Sequence, residues 1–250
     1  MNTISAIRQS QAPTLFDLSE ALKRDHYVTS ARYPAQQVAQ LGDEVRQAFN
    51  ATWDDLPSDS YLTAEYGARE RRICKFDYHQ HDRRWRPLQD CHFFQTQADN
   101  PLLGGVERLY TRSCAAFIDS PVLHTLLAAD LALMDLTVGA HDWRVTCHQF
   151  RTLCDQQHQG QATPEGRHRD GHDFVFQHLI KREAVIGGES RIFRDDGATV
   201  FSATLTGDME TIALNDRRLL HEVSPLKMFN GALQGIRDML IIDFDRVHPS

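Results

Sequence analysis

Apolar side chains recur every three to four residues in the first part of the chain and at every second residue in the last part, with the change near residue 140. The first period belongs to amphipathic helices and the second to half-buried strands. Thr14 is placed to cap a helix carrying Leu15, Leu18 and Leu22. Tyr27-Val28-Thr29 reads as a short strand, and Pro34 opens a second helical pattern through Val38, Leu41, Val45 and Phe49. Between 70 and 97, Ile73, Phe76 and Tyr78 suggest one strand and His92-Phe93-Phe94 another, with a loop at Trp85-Arg86-Pro87. Val106, Leu109, Tyr110 and Phe117 form a helical stripe. Ser120-Pro121 is a cap followed by a first-turn proline, opening a helix through Leu123, Leu126, Leu127 and Leu131.

Beyond residue 140, Trp143, Val145 and Cys147 alternate with Arg144, Thr146 and His148. Strand patterns recur at 172–180, 189–194, 198–203, 210–214, 218–223 and 236–244, separated by turn signals such as Gly187-Gly188, Asp196-Gly197 and Asn215-Asp216. Closely spaced strands without intervening helices predict an antiparallel jelly roll. The expected fold is mainly β with α, a jelly-roll core with flanking N-terminal helices. It forms one domain over 1–250, with 1–140 mostly helical and 141–250 carrying the jelly roll. A doubly wound nucleotide fold does not fit, because no G-x-G-x-x-G occurs and strands do not alternate with helices.

Composition narrows the function. The chain has 250 residues, a formal charge of −7 and 24% charged residues, which argues against a dedicated nucleic-acid binder. No run suggests a membrane span, and Met1 to Asp17 lacks the pattern of a secretory signal. Five cysteines, without C-x-x-C spacing, read as reduced thiols and a cytoplasmic setting. The oligomeric state is left open, a homodimer included.

The chemistry concentrates in His168-Arg169-Asp170-Gly171-His172-Asp173. In extended backbone, His168 and Asp170 project to the same side and can meet one metal ion. His221, in the strand-like stretch 218–223, is the best third ligand. Two histidines and one carboxylate on one face of an ion mark the non-haem Fe(II) oxygenases. An H-x-D alone is common by chance; its place before a strand, with a later strand histidine, raises its meaning. Arg237 opens the apolar last strand, and a guanidinium there needs an anionic partner.

Several segments resemble the bacterial 2-oxoglutarate- and Fe(II)-dependent dioxygenases related to L-isoleucine dioxygenase. They are 164–175 around His168-Arg169-Asp170, Gly187-Gly188-Glu189-Ser190, Leu214 to His221 and the Arg237 strand. The resemblance covers roughly 141–245. It implies a double-stranded β-helix, Fe(II), the cosubstrate 2-oxoglutarate, O2, and hydroxylation of a small free L-amino acid with release of succinate and CO2. His168, Asp170 and His221 would be the ligands, and Arg237 would hold the distal carboxylate of 2-oxoglutarate. Many relatives place a Ser or Thr two residues after that arginine, where this chain has Met239. Gln149, Arg151 and Thr146 are candidates for the missing donor.

A zwitterionic substrate needs a cation and an acceptor once water is excluded. Arg151, Arg169 and Arg217 are candidates for its carboxylate, Glu165 and Asp173 for its ammonium. Phe174, Phe150 or Leu219 could supply an apolar wall. His172 sits beside the ligands and could orient one of them, whereas His148 reads as structural. Three rival readings remain: a zinc hydrolase built on the same histidines, a non-catalytic jelly-roll sugar or ligand binder whose histidines are incidental, and hydroxylation of an amino-acid unit on a peptide or carrier. The H-R-D string also imitates a kinase catalytic loop, but that loop needs an Asn where Val175 stands.

Overall fold

The computed structural model describes residues 12–62, 67–229 and 231–247, so most of the N-terminal stretch read for a secretory signal lies outside the described residues. The first part of the chain forms α1 (Leu15–Asp25), β1 (Tyr27–Ser30), α2 (Ala35–Ala39), α3 (Asp43–Asn50), β2 (Arg69–His79), β3 (Arg84–Leu88), β4 (His92–Phe93), β5 (Arg108–Leu109), α4 (Ala115–Ile118) and α5 (Pro121–Val138). The second part forms β6 (Trp143–Cys154), β7 (Phe174–Glu183), β8 (Val185–Gly187), β9 (Glu189–Phe193), β10 (Thr199–Thr204), β11 (Thr211–Asn215), β12 (Leu220–Val223), β13 (Leu226–Met228) and β14 (Gly235–Arg246).

The caps predicted from sequence are present. Thr14 and Asp17 form a reciprocal capping box on α1, and Ser120 with Pro121 opens α5. The pattern from Pro34 is divided into α2 and α3 at Gly42, whose φ of 85° suits glycine. The stripe at 106–117 is not one helix. Ile73 captures it instead: its amide donates to the Thr111 carbonyl at 3.1 Å and its carbonyl accepts from Ser113 at 2.8 Å. Extended backbone there lets Tyr110 pack with Ile73 and Phe93 while Leu109 stays exposed.

An antiparallel seven-stranded sheet runs β1-β11-β7-β14-β6-β2-β3, and β10-β9-β12 forms a smaller sheet. Residue 140 is therefore no structural boundary, because β1, β2 and β3 join the main sheet. Local pattern alone hid this, since β2 finds its partner β6 only after α5 has been made.

The main sheet is buried on both faces. Its outer face takes α1, α3 and α5, with Leu18, Leu22, Phe49, Leu123, Leu126 and Met134 packed on Val145, Cys147, Phe176, Leu240 and Ile242. α5 is apolar and long enough to cross a membrane by length and composition. Here it is a core helix, with Asp130 2.9 Å from the His178 Nε2 of β7. On the inner face Val175, Leu179, Ile212 and Met239 cluster with Ile192 of β9 and Leu219. Beside that cluster a cavity opens between the two sheets, lined from β2, β6, β7, β12 and β14 and from the loops at 95–103 and 162–170.

Candidate active site

His168 and His221 face each other across a β-bridge. The His168 amide donates to the His221 carbonyl at 3.0 Å, and the reverse bond is 2.9 Å. This pairing sets the two rings 4.4 Å apart between centroids. Asp170 closes the group: its Oδ1 lies 3.3 Å from His168 Nε2 and its Oδ2 lies 3.3 Å from His221 Nε2. One ligand atom from each residue lies within 4.8 Å of the others. Glu165 adds a second carboxylate, with Oε1 3.3 Å from His168 Nε2.

The surroundings fix these side chains. His168 Nδ1 bonds to the Gly166 carbonyl at 3.0 Å, so a proton on Nδ1 leaves the Nε2 lone pair aimed at the cluster. Asp216 accepts three successive amides, from Asp170, Gly171 and His172, at 3.1, 2.7 and 3.1 Å. Gly171 allows the turn, with φ 89° and Asp99 Oδ2 only 3.0 Å from where a Cβ would stand. Gln95 donates to the Asp170 carbonyl at 3.0 Å.

The cluster attracts positive charge. Burial opposes a charge on His168, but the Asp170 hydrogen bond and the Glu165 charge outweigh it and lift the imidazole to about 9. Asp170 is half-buried, which opposes its charge, yet His221 and His168 hold it well below the usual carboxylate range. Two imidazoles and a carboxylate, converging and short of a cation, fit a divalent iron.

The opposite wall holds Arg237, which is buried and, among the described residues, has no hydrogen-bond partner on Nε or Nη2. Burial and the charge of Arg182 push its guanidinium down to about 10. A cation left so exposed to desolvation is a receptor for an anion. Thr152, its register partner on β6, lines the same cavity. These features fit the distal carboxylate of 2-oxoglutarate.

Other residues expected at the site lie away from the cavity, two of them through strand parity. Gln149 and Arg151 point to the outer face: Gln149 bonds Thr52, and Arg151 makes a two-point pair with Asp238 at 2.8 and 2.9 Å. Thr146 shares the inner parity but lies beyond the residues that line the cavity. Phe174 belongs to the outer core. Asp173 accepts from Arg217 at 3.2 Å and from the Arg246 amide at 2.9 Å, and neither Asp173 nor Arg217 lines the cavity. Arg169 turns to Asp195 instead. Of the apolar candidates Phe150 lines the cavity and Leu219 does not.

The lining includes residues that were not singled out: Arg69, Arg71, Phe93, Gln95, Asn100, Leu103, Arg108, Gln177 and Asp243. His148, read as structural, is there as well. Its Nδ1 lies 2.7 Å from Arg71 Nη2 and its Nε2 lies 2.8 Å from Asp243 Oδ2. Burial and the Arg71 charge hold this imidazole well below its ordinary value, so it is neutral, accepting from Arg71 and donating to Asp243. Arg69 and Arg71, two apart on a strand with Ile73, carried a usable signal: alternate positions share a face.

Comparison with known proteins agrees with this geometry. Over 156 residues the chain is 28% identical to 3(1)-hydroxy-L-isoleucine 4-dioxygenase of Pantoea ananatis (strain AJ13355); the match takes in 61% of this chain and 63% of that relative's length. In structure it resembles a bsmA homolog from Methylobium petroleophilum PM1, with a TM-score of 0.84 at 24% identity over 96% of this chain and 98% of that one. It also resembles IDO from Bacillus thuringiensis, with a TM-score of 0.77 at 16% identity over 99% and 100%. Residues 50–243 match the family described as 2OG-Fe dioxygenase, and that span holds the triad and Arg237, so the chain belongs to this family, which uses Fe(II), 2-oxoglutarate and O2.

Proposed function

We propose that the chain is a 2-oxoglutarate- and Fe(II)-dependent dioxygenase that hydroxylates the side chain of a small free L-amino acid and releases succinate and CO2. The observation that carries this reading is one cavity with a cation-seeking triad on one side and an unpartnered buried arginine on the other. The name of the Pantoea relative supports the amino-acid substrate. Family membership sets aside the zinc hydrolase.

In this reading His168, Asp170 and His221 hold the iron. Arg237 binds the distal carboxylate of 2-oxoglutarate, with the Thr152 hydroxyl beside it. Bound iron with 2-oxoglutarate and O2 supplies the oxidising power to break an unactivated C–H bond. Glu165 accepts the substrate ammonium near the triad. Phe93, Leu103, Phe150, Met239 and Ile241 line the space and keep water from the reacting carbon. The five unpaired cysteines support a reducing, cytoplasmic setting.

The test is an amino-acid panel with Fe(II), 2-oxoglutarate and O2, read by mass spectrometry for a gain of one oxygen and by succinate release. Turnover of free aliphatic or hydroxy amino acids, lost on N-acylation, is the expected result. Equal rates for free and N-acylated forms would move the substrate to a peptide or carrier.

A further inference from the structure

The cavity contains a second cationic pole that the cosubstrate leaves unused. Arg71 and Arg108 are both buried, with exposures of 2% and 1%. They share one ring: Arg71 Cζ is 5.7 Å and Arg108 Cζ 4.9 Å from the Phe93 centroid. Arg71 also stacks on Tyr110 at 3.7 Å and Phe150 at 4.3 Å. Such stacking fixes a guanidinium plane without neutralising it.

Neither cation has a carboxylate of its own among the described residues. The acid nearest Arg71 is Asp59, 3.7 Å away, and the same oxygen already takes Arg69 Nε at 3.0 Å and Nη2 at 2.7 Å. Arg108 makes one hydrogen bond, to Gln95 Oε1 at 2.7 Å. Nε is unpartnered in both. Burial, offset in part by Tyr110, pushes Arg71 down to about 10, so its charge is uncomfortable where it stands.

This pole is distinct from Arg237. Arg71 pairs in register with Phe150 on β6, and Phe150 with Met239, two residues along β14 from Arg237 and two strands across the sheet. At about 3.3 Å per residue and about 4.8 Å between strands the two backbone positions stand roughly 12 Å apart. A carboxylate of 2-oxoglutarate held at Arg237 therefore leaves Arg71 and Arg108 open. Glu165, beside the triad, offers the opposite charge in the same cavity.

We propose that Arg71 and Arg108, both held against Phe93, bind the carboxylate of the amino acid that is hydroxylated. This rests on the amino-acid reading above and assigns the carboxylate contact that Arg151 and Arg217 do not make. Gln95 links the pole to the iron site, since it bonds Arg108 through Oε1 and the Asp170 carbonyl through Nε2. The substrate carboxylate and the metal-bearing loop thus share one positioning side chain.

The test compares binding of L-isoleucine, L-leucine and L-valine with that of their amino alcohols, which keep the ammonium and lose the carboxylate. Binding is read by calorimetry on whole protein loaded anaerobically with Fe(II) and 2-oxoglutarate. Wild-type protein should prefer at least one acid by about tenfold or more, the scale of a lost charge-assisted contact. Arg108→Gln should reduce that preference to within about twofold, and Arg71→Lys should weaken it by removing the planar fork. Arg217→Gln, outside the cavity, should keep it, and melting curves establish that each variant is folded. An undiminished preference in folded Arg108→Gln and Arg71→Lys overturns this assignment and leaves the amino-acid reading standing. A wild type that binds acid and alcohol alike, or binds none of the pairs, overturns both.

Discussion

The two faces of the main sheet both bury arginine, and the inner face leaves part of it without a carboxylate of its own. On the outer face Arg151 is closed by Asp238 in a two-point pair, with Asp54 also within 3.3 Å. On the inner face Asp59 closes Arg69 in the same manner, but Arg237, one register step away on β14, has no partner among the described residues, and Arg71 and Arg108 have only neutral or shared ones. A paired buried charge is architecture that the fold satisfies by itself. An unpaired one costs stability, and it persists where a ligand completes it.

That contrast breaks most severely at the triad. Asp170→Ala or His221→Ala should abolish iron retention and succinate formation, measured by metal analysis after gel filtration and by coupled turnover. Retention of wild-type iron content in both variants would remove these residues from the metal site. The next test sets the faces against each other. Arg237→Ala should raise the KM for 2-oxoglutarate at least about tenfold, because a desolvated charge contact is lost. It should cost little stability, since no buried acid is left behind. Arg151→Ala should do the reverse. It strands Asp238, whose carboxyl burial already pushes upward, and should lower stability by about 3 kcal/mol in denaturant melts with the 2-oxoglutarate KM unchanged.

The smallest effect is a pH dependence. Buried His148 is neutral in the fold, whereas the unfolded chain protonates it near its ordinary value of 6.5. A folded value below the unfolded one means that the unfolded state binds more protons as pH falls. His148 therefore contributes stability that is present above pH 6.5 and is lost on acidification below it. His148→Gln should flatten the fall in Tm between about pH 7 and pH 5. A wild-type and variant Tm difference that stays constant over that range would refute the neutral assignment.

The strands after residue 140 were legible because one period runs through them: the expected 189–194 and 210–214 are β9 and β11 within a residue or so. The convergence of His168, Asp170 and His221 was legible from the i, i+2 spacing of the first two and from the place of the third in a later strand. The face of β6 was not. Trp143, Val145 and Cys147 look like the inside of a barrel, yet helices cover them, so Gln149 and Arg151 followed them to the wrong side. A strand buried on both faces carries no polar stripe to say which face meets the ligand. Arg108 was hidden for another reason. Its segment has helical spacing, and it is pairing with Phe93 on β4, followed by the bonds of Thr111 and Ser113 to Ile73, that holds it extended.

The carboxylate of Asp216 accepts three consecutive amides from the turn that presents Asp170. Those bonds need no ion, so under the proposed metal assignment the protein itself braces the loop that carries Asp170, and capture of iron should cost little chain entropy. The expected consequence is kinetic as much as thermodynamic: iron stripped with a chelator should return without refolding.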